Sequence, residues 1–98
     1  MKITKNLNGD TLIVALEGRL DTTTAPELEK ELRKSLDGVG KLVIDFTKLD
    51  YISSAGLRVL LTAHKAMMKQ GSMKVVHASE MVMEVFEVTG FADILTIE

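Results

Sequence analysis

The chain has 98 residues, of which 46% are apolar and 27% charged, and its net charge is −2. This length and composition fit one folded domain, residues 1–98, and exclude a disordered chain. The mixed charge excludes a strongly basic surface that would attract nucleic acid or an anionic membrane. The absence of cysteine excludes disulfides, thiolate metal sites and cysteine nucleophiles.

The first twenty residues predict an antiparallel hairpin. Lys2 to Leu7 alternate weakly in hydrophobicity, and Asn8-Gly9-Asp10 has the chemistry of a hairpin turn. Residues 11–18, TLIVALEG, form an almost uninterrupted run of branched and apolar side chains. This pattern predicts a strand that is covered on both faces of the sheet.

A helix is predicted next. Thr24 and Glu27 have the spacing of a capping box, and Gly38 is the predicted stop. Three leucines recur at steps of four and form the expected inner face: Leu28, Leu32 and Leu36.

The remaining sequence alternates between strands and helices. KLVIDF (41–46) and MKVVHA (73–78) are short apolar runs typical of strands, and a loop is predicted over residues 47–53. A helix follows that loop and ends at Gln70-Gly71-Ser72. Ser79 opens a last helix, which Gly90 ends. Its predicted inner face consists of Val82, Val85, Phe86 and Thr89.

These elements predict an α/β fold with the order β-β-α-β-α-β-α and a short further strand at ILTI (94–97). Alternating strands and helices imply parallel pairing, so we expect a mixed, mostly parallel sheet of four to five strands with helices packed against it. Sites in such folds lie beyond the carboxyl ends of the parallel strands. The segment "SSAG", residues 53–56, occupies one of these positions.

The two adjacent serines can be interpreted in two ways, as a helix cap or as a site for a phosphate. Ser53 or Ser54 can cap the free amides of the following helix, which stabilises it by about 1 kcal/mol. Gly56 can serve either tight packing of this helix on its strand or close approach by another protein. A serine at an exposed helix start also suits a phosphate, since the free N–H groups and the helix dipole favour negative charge.

Enzymatic and metal chemistry find no support in the sequence. His64 lies ten residues after Ser54 on the same predicted helix, about 15 Å along its axis, which is too far for a nucleophile and its base. No phosphate-binding loop or metal-ligand spacing occurs, so we expect no catalytic residues, no metal and no cofactor. No apolar run is long enough to span a bilayer and no signal peptide is evident, so we expect a cytoplasmic protein.

The sequence resembles the anti-sigma factor antagonists of the STAS domain family. The match lies in residues 50–57, DYISSAGL, after the strand LVIDF, with support from residues 18–21, GRLD, and 88–91, VTGF. The resemblance spans essentially the whole chain and implies a single STAS domain. One departure is Ser53, at a position where the family often has aspartate.

The resemblance implies a partner-switching cycle. The unphosphorylated antagonist binds an anti-sigma factor that is itself a GHKL-type serine kinase, and thereby frees the sigma factor. The kinase inactivates the antagonist by phosphorylation, which a serine phosphatase reverses. Ser54 matches the phosphoacceptor, with Ser53 as second choice. The implied partner-binding residues are Arg19, Asp21, Ser53, Ser54, Ala55, Gly56, Leu57 and Arg58.

A second interpretation stays open. The chain would then be a STAS interaction or scaffold module of a larger complex, such as a lipid transporter, with no phosphorylation switch. For the isolated domain we expect a monomer. A kinase among the binding partners would favour the first interpretation.

Overall fold

A computed structural model describes all residues, 1–98, and confirms the predicted order of elements. The strands are β1 (Lys2–Asn8), β2 (Thr11–Leu20), β3 (Lys41–Ile52) and β4 (Ser72–Val76). The helices are α1 (Ala25–Ser35), α2 (Ser54–Met68) and α3 (Glu80–Thr89), and a short 3-10 turn spans Phe91–Asp93.

The four strands form one mixed sheet in the order β1-β2-β3-β4. β1 and β2 pair antiparallel as the predicted hairpin, whereas β2 with β3 and β3 with β4 pair parallel. Each parallel pair is joined by a helix, and right-handed crossovers in one direction place α1 and α2 on the same face. The predicted last strand is reduced to a single bridge between Val75 and Ile97.

The hydrophobic core lies between the helices and one face of the sheet. Along β2, the buried residues Leu12, Val14 and Leu16 alternate with half-buried ones. The prediction that this strand is covered on both faces is therefore wrong. Branched and apolar residues are favoured in strands through packing on a pleated surface, so a solid apolar run does not require two covered faces.

α3 shows the predicted caps. Ser79 accepts a hydrogen bond from the backbone N–H of Val82, and Gly90 ends the helix in the left-handed conformation with φ +83°. Val82 and Phe86 are buried, but Thr89, which was predicted to face inward, is exposed. Its hydroxyl donates a 2.7 Å hydrogen bond to the carbonyl of Val85, so it needs no buried partner.

β3 is twice as long as its apolar run. The loop predicted over residues 47–53 is strand as far as Ile52, although Thr47, Lys48 and Asp50 are exposed. Its pairing with β2 continues through two register shifts, between Ala15 and Glu17 and between Gly18 and Arg19. Such bulges allow a polar segment to remain paired, and they re-aim the side chains at the strand end.

Candidate functional site

The ends of β2 and β3 bring the two predicted site segments together. In the parallel register, Leu20 pairs with Ile52, and the backbone N–H of Ser53 donates a 2.9 Å hydrogen bond to the carbonyl of Leu20. The loop that starts at Asp21 and the start of α2 therefore emerge side by side. This is the edge where the carboxyl ends of the parallel strands lie, as predicted.

Ser53 is the N-cap of α2. Its backbone is extended, with φ −100° and ψ 174°, and its side-chain Oγ accepts a 3.4 Å hydrogen bond from the N–H of Gly56. Its carbonyl accepts the N–H of Leu57 at 3.0 Å. Ser53 is half-exposed, and its hydroxyl oxygen is the acceptor that caps the start of α2.

Ser54 is the first residue of α2, and its side chain is exposed. Its hydroxyl makes no hydrogen bond within the chain. A helix leaves its first amides without intrahelical partners, and Ser53 satisfies those of Gly56 and Leu57. The N–H groups of Ser54 and Ala55 are left free beside an exposed hydroxyl at the positive end of the helix dipole.

Asp21 organises the loop between β2 and α1. Its Oδ1 accepts the N–H groups of Thr23 and Thr24 at 3.0 and 3.1 Å and the Thr23 hydroxyl at 2.8 Å, while its carbonyl accepts the N–H of Ala25. These bonds close a turn over residues 21–24 that leads directly into α1, whose N-cap residue is Thr24. The predicted capping box is wrong, since the Thr24 side chain makes no cap bond and its hydroxyl donates to the Arg19 carbonyl at 2.8 Å.

These hydrogen bonds lower the pKa of the Asp21 carboxyl below its ordinary value of 3.8, chiefly through the Thr23 hydroxyl and then the Thr24 amide. A carboxyl whose pKa is lower in the folded state than in the unfolded state stabilises the fold at pH values above its unfolded-state pKa. This stabilisation is lost as the pH falls through the folded-state pKa. As the pH falls below about 4, the free energy of unfolding should therefore decrease less in Asp21→Asn than in the wild type. Chemical denaturation of both proteins between about pH 2 and 7 checks this, and identical pH profiles would contradict it.

Arg19 and Tyr51 form a second feature of the same edge. They pair across β2 and β3, and the Arg19 guanidinium lies over the Tyr51 ring, with its carbon 4.2 Å from the ring centroid. The Arg19 Nε is 3.8 Å from Asp21 Oδ2. Tyr51 was not predicted as a site residue, since its pairing with Arg19 depends on the extension of β3 beyond Phe46. The longer β3 brings it under Arg19.

Gly56 and Leu57, two of the predicted partner-binding residues, are buried in the chain and present no exposed side chain. A Cβ atom at Gly56 would lie 2.7 Å from Leu20 Cγ and 3.0 Å from Ile52 Cγ1. The glycine is therefore required for close packing of α2 on the ends of the two strands, which was one of its two readings. Both residues lie in the core and stabilise the position of the first turn of α2.

The remaining predicted residues lie at the surface. Arg58 is exposed one helical turn after Ser54, and Ala55 is half-buried. A cleft of about 270 Å³ opens between α1 and α2 next to them. Its lining includes Thr22, Pro26, Ala55 and Arg58. Arg19, Asp21, Ser54 and Ala55 thus lie at or next to the ends of β2 and β3, and Arg58 follows one turn along α2.

The two histidines do not join this site. His64 is half-buried in the middle of α2, and His77 follows β4 in the left-handed region with φ 59°. No group of three or more His, Cys, Asp or Glu side chains is arranged to hold a metal ion. No helix in the structure has the length and apolar character required to cross a membrane.

Comparisons with known proteins agree with this fold. The sequence profile of the STAS domain family matches residues 2–98. This chain is 39% identical over 99 residues to BtrV of Bordetella bronchiseptica, which is named as an anti-sigma factor antagonist. The match covers 99% of this chain and 85% of that protein.

Two solved structures show the same architecture. An anti-sigma factor antagonist from Mycobacterium paratuberculosis superposes with a TM-score of 0.88 at 23% identity, covering 98% of this chain and 83% of that one. The Bacillus cell fate determinant SpoIIAA in its phosphorylated form superposes with a TM-score of 0.77 at 16% identity, covering 99% of this chain and 91% of that one. At these identities the likeness concerns the fold alone.

Proposed function

The chain belongs to the STAS domain family, and from this premise we propose that it is an anti-sigma factor antagonist switched by phosphorylation of Ser54. The name of BtrV supports the antagonist function, and the solved structure of SpoIIAA in a phosphorylated form supports the idea that a protein of this fold can be phosphorylated. The observation that carries the proposal is the free, exposed hydroxyl of Ser54 beside the Asp21 loop.

The unphosphorylated chain binds a GHKL-type serine kinase that acts as the anti-sigma factor. The contact surface consists of the Asp21 loop and the first turn of α2, where the predicted residues are exposed or half-exposed and Ser53 already serves as the helix cap. We refer to this surface, Arg19, Asp21, Ser54, Ala55 and Arg58, as the docking surface. Binding to it displaces the sigma factor from the kinase.

In the inactivating step, the Ser54 oxygen attacks the γ-phosphorus of ATP held by the kinase. The new O–P bond forms as the bond to ADP breaks, and the hydroxyl proton leaves to a base of the kinase. An exposed hydroxyl with no internal hydrogen bond can enter a kinase site without unfolding the helix. Ser53 is a poorer substrate, since its oxygen is already bonded to the Gly56 amide.

The product carries about −1.5 to −2 charges at the first position of α2. The free amides and the helix dipole stabilise this charge in the isolated chain. In the complex, however, it is pressed against a partner surface that was complementary to a neutral hydroxyl. Binding therefore ends while the fold persists, and a serine phosphatase restores the antagonist.

Phosphosite mapping tests the proposal. After incubation with the cognate kinase and ATP, we expect a single phosphate on the peptide containing Ser54, and none in Ser54→Ala. Ser53→Ala is the matched control, and it should still be phosphorylated although it loses about 1 kcal/mol of stability with its N-cap. Phosphate on Ser53 alone, or no phosphate, would contradict the proposal.

Recovery of the kinase from a pulldown separates this function from that of a scaffold module. If the chain were a scaffold module, the captured partners would include no such kinase and Ser54 would stay unmodified. A stable complex with transporter subunits would support that alternative instead.

A further inference from the structure

We infer that Arg58 is the internal counter-ion of a phosphoryl group on Ser54. Phosphorylation would then have two effects, because it adds a dianion to the docking surface and also draws a cation out of it. The inference rests on the proposed function, since it presupposes that Ser54 is the modified residue.

The geometry of α2 places the two side chains together. Ser54 and Arg58 are four residues apart and both are exposed. Residues at this spacing lie on one helix face with their Cβ atoms about 5–6 Å apart. Helical side chains also lean toward the helix N-terminus, so the long Arg58 side chain can reach a phosphoryl group on Ser54.

Arg58 has no other counter-ion. The chain contains four ion pairs, and Arg58 takes part in none of them. Glu29, which lines the same cleft between α1 and α2, is held by Arg33 at 2.6 Å. Asp21 uses Oδ1 for the threonines of its own loop and turns Oδ2 toward Arg19.

A phosphoryl group supplies what this guanidinium lacks. Its three acceptor oxygens and double charge match the planar donor fork of arginine, which binds phosphate through two parallel hydrogen bonds. The same pairing is unavailable to Ser53. The residue four positions after Ser53 is Leu57, which is buried in the core. Arg58 is thus a counter-ion for Ser54 specifically.

The test is the titration of the phosphate by ³¹P NMR. Phosphoserine is incorporated at position 54 during translation, so the measurement does not depend on any kinase. A bound guanidinium should hold the second pKa of the phosphate below its usual value of about 6. Arg58→Gln should raise this pKa by about half a unit.

Lys65→Gln is the matched control. It removes one positive charge from the exposed side of the same helix, eleven residues from Ser54, and should leave the phosphate titration unchanged. Equal pKa values in the Arg58→Gln variant and the parent chain would overturn the inference, as would equal shifts in both variants. Failure of the kinase to modify Ser54 is a separate result that would contradict the proposed function, whereas the ³¹P titration tests the pairing of Arg58 with the phosphate independently of any kinase.

Discussion

Ser54→Asp is expected to weaken binding to the cognate kinase by about 100-fold without loss of stability. An unpaired charge enclosed in an interface costs roughly 2–5 kcal/mol, and 1.4 kcal/mol corresponds to about tenfold in affinity. The carboxylate is tolerated in the free chain because it lies at the first position of α2, where the helix dipole favours it.

Ser54→Asn is the matched control for this prediction. Asparagine has the size and shape of aspartate but carries no charge, so it isolates the electrostatic effect from the steric one. Calorimetric titration should give an affinity for Ser54→Asn within a few-fold of the wild type. If both variants lost affinity equally, the switch would depend on bulk and not on charge.

The second large effect concerns the support of the site. Gly56→Val is expected to lower the free energy of unfolding by about 3 kcal/mol, because its Cβ would meet Leu20 and Ile52 at 3.0 Å or less. Both neighbours are buried, so neither side chain can move into solvent. For a domain of this size the melting temperature should fall by about 12 °C or more.

Gly56→Ala separates the two components of that loss. Alanine adds the same Cβ but no γ-methyl groups, and it recovers about 1 kcal/mol of helix propensity. We expect its melting temperature to lie between those of the wild type and Gly56→Val in a thermal unfolding experiment. A valine variant that melts with the wild type would show that α2 does not pack tightly on the strand ends.

The sequence predicted the fold well where periodicity and caps agree. Ser79 and Gly90 mark the ends of α3, and the apolar runs mark the inner strands. It predicted β3 poorly beyond Phe46, because Thr47, Lys48 and Asp50 resemble a loop in composition. The bulged pairing with β2 and the burial of Leu49 and Ile52 keep this segment in the sheet, and pairing between distant segments leaves no local signal.

The sequence indicated which segments meet at the strand ends, but not which of their residues are buried and which are exposed. The spacing of Ser53 and Ser54 indicated a helix start, but the choice of N-cap depends on backbone geometry, which the structure shows at Ser53. Asp21 closes the turn before α1 with its side chain, which an aspartate followed by three threonines could have indicated in the sequence. The burial of Gly56 and Leu57 follows from contacts with residues far away in the sequence.

The most direct measurement compares the chain with and without phosphate on Ser54, by kinase affinity and by amide NMR spectra. We expect the phosphate to remove binding while its chemical-shift changes stay within the start of α2 and the Asp21 loop. Undiminished affinity, or changes that spread through the sheet, would contradict a switch that acts by surface charge on an intact fold.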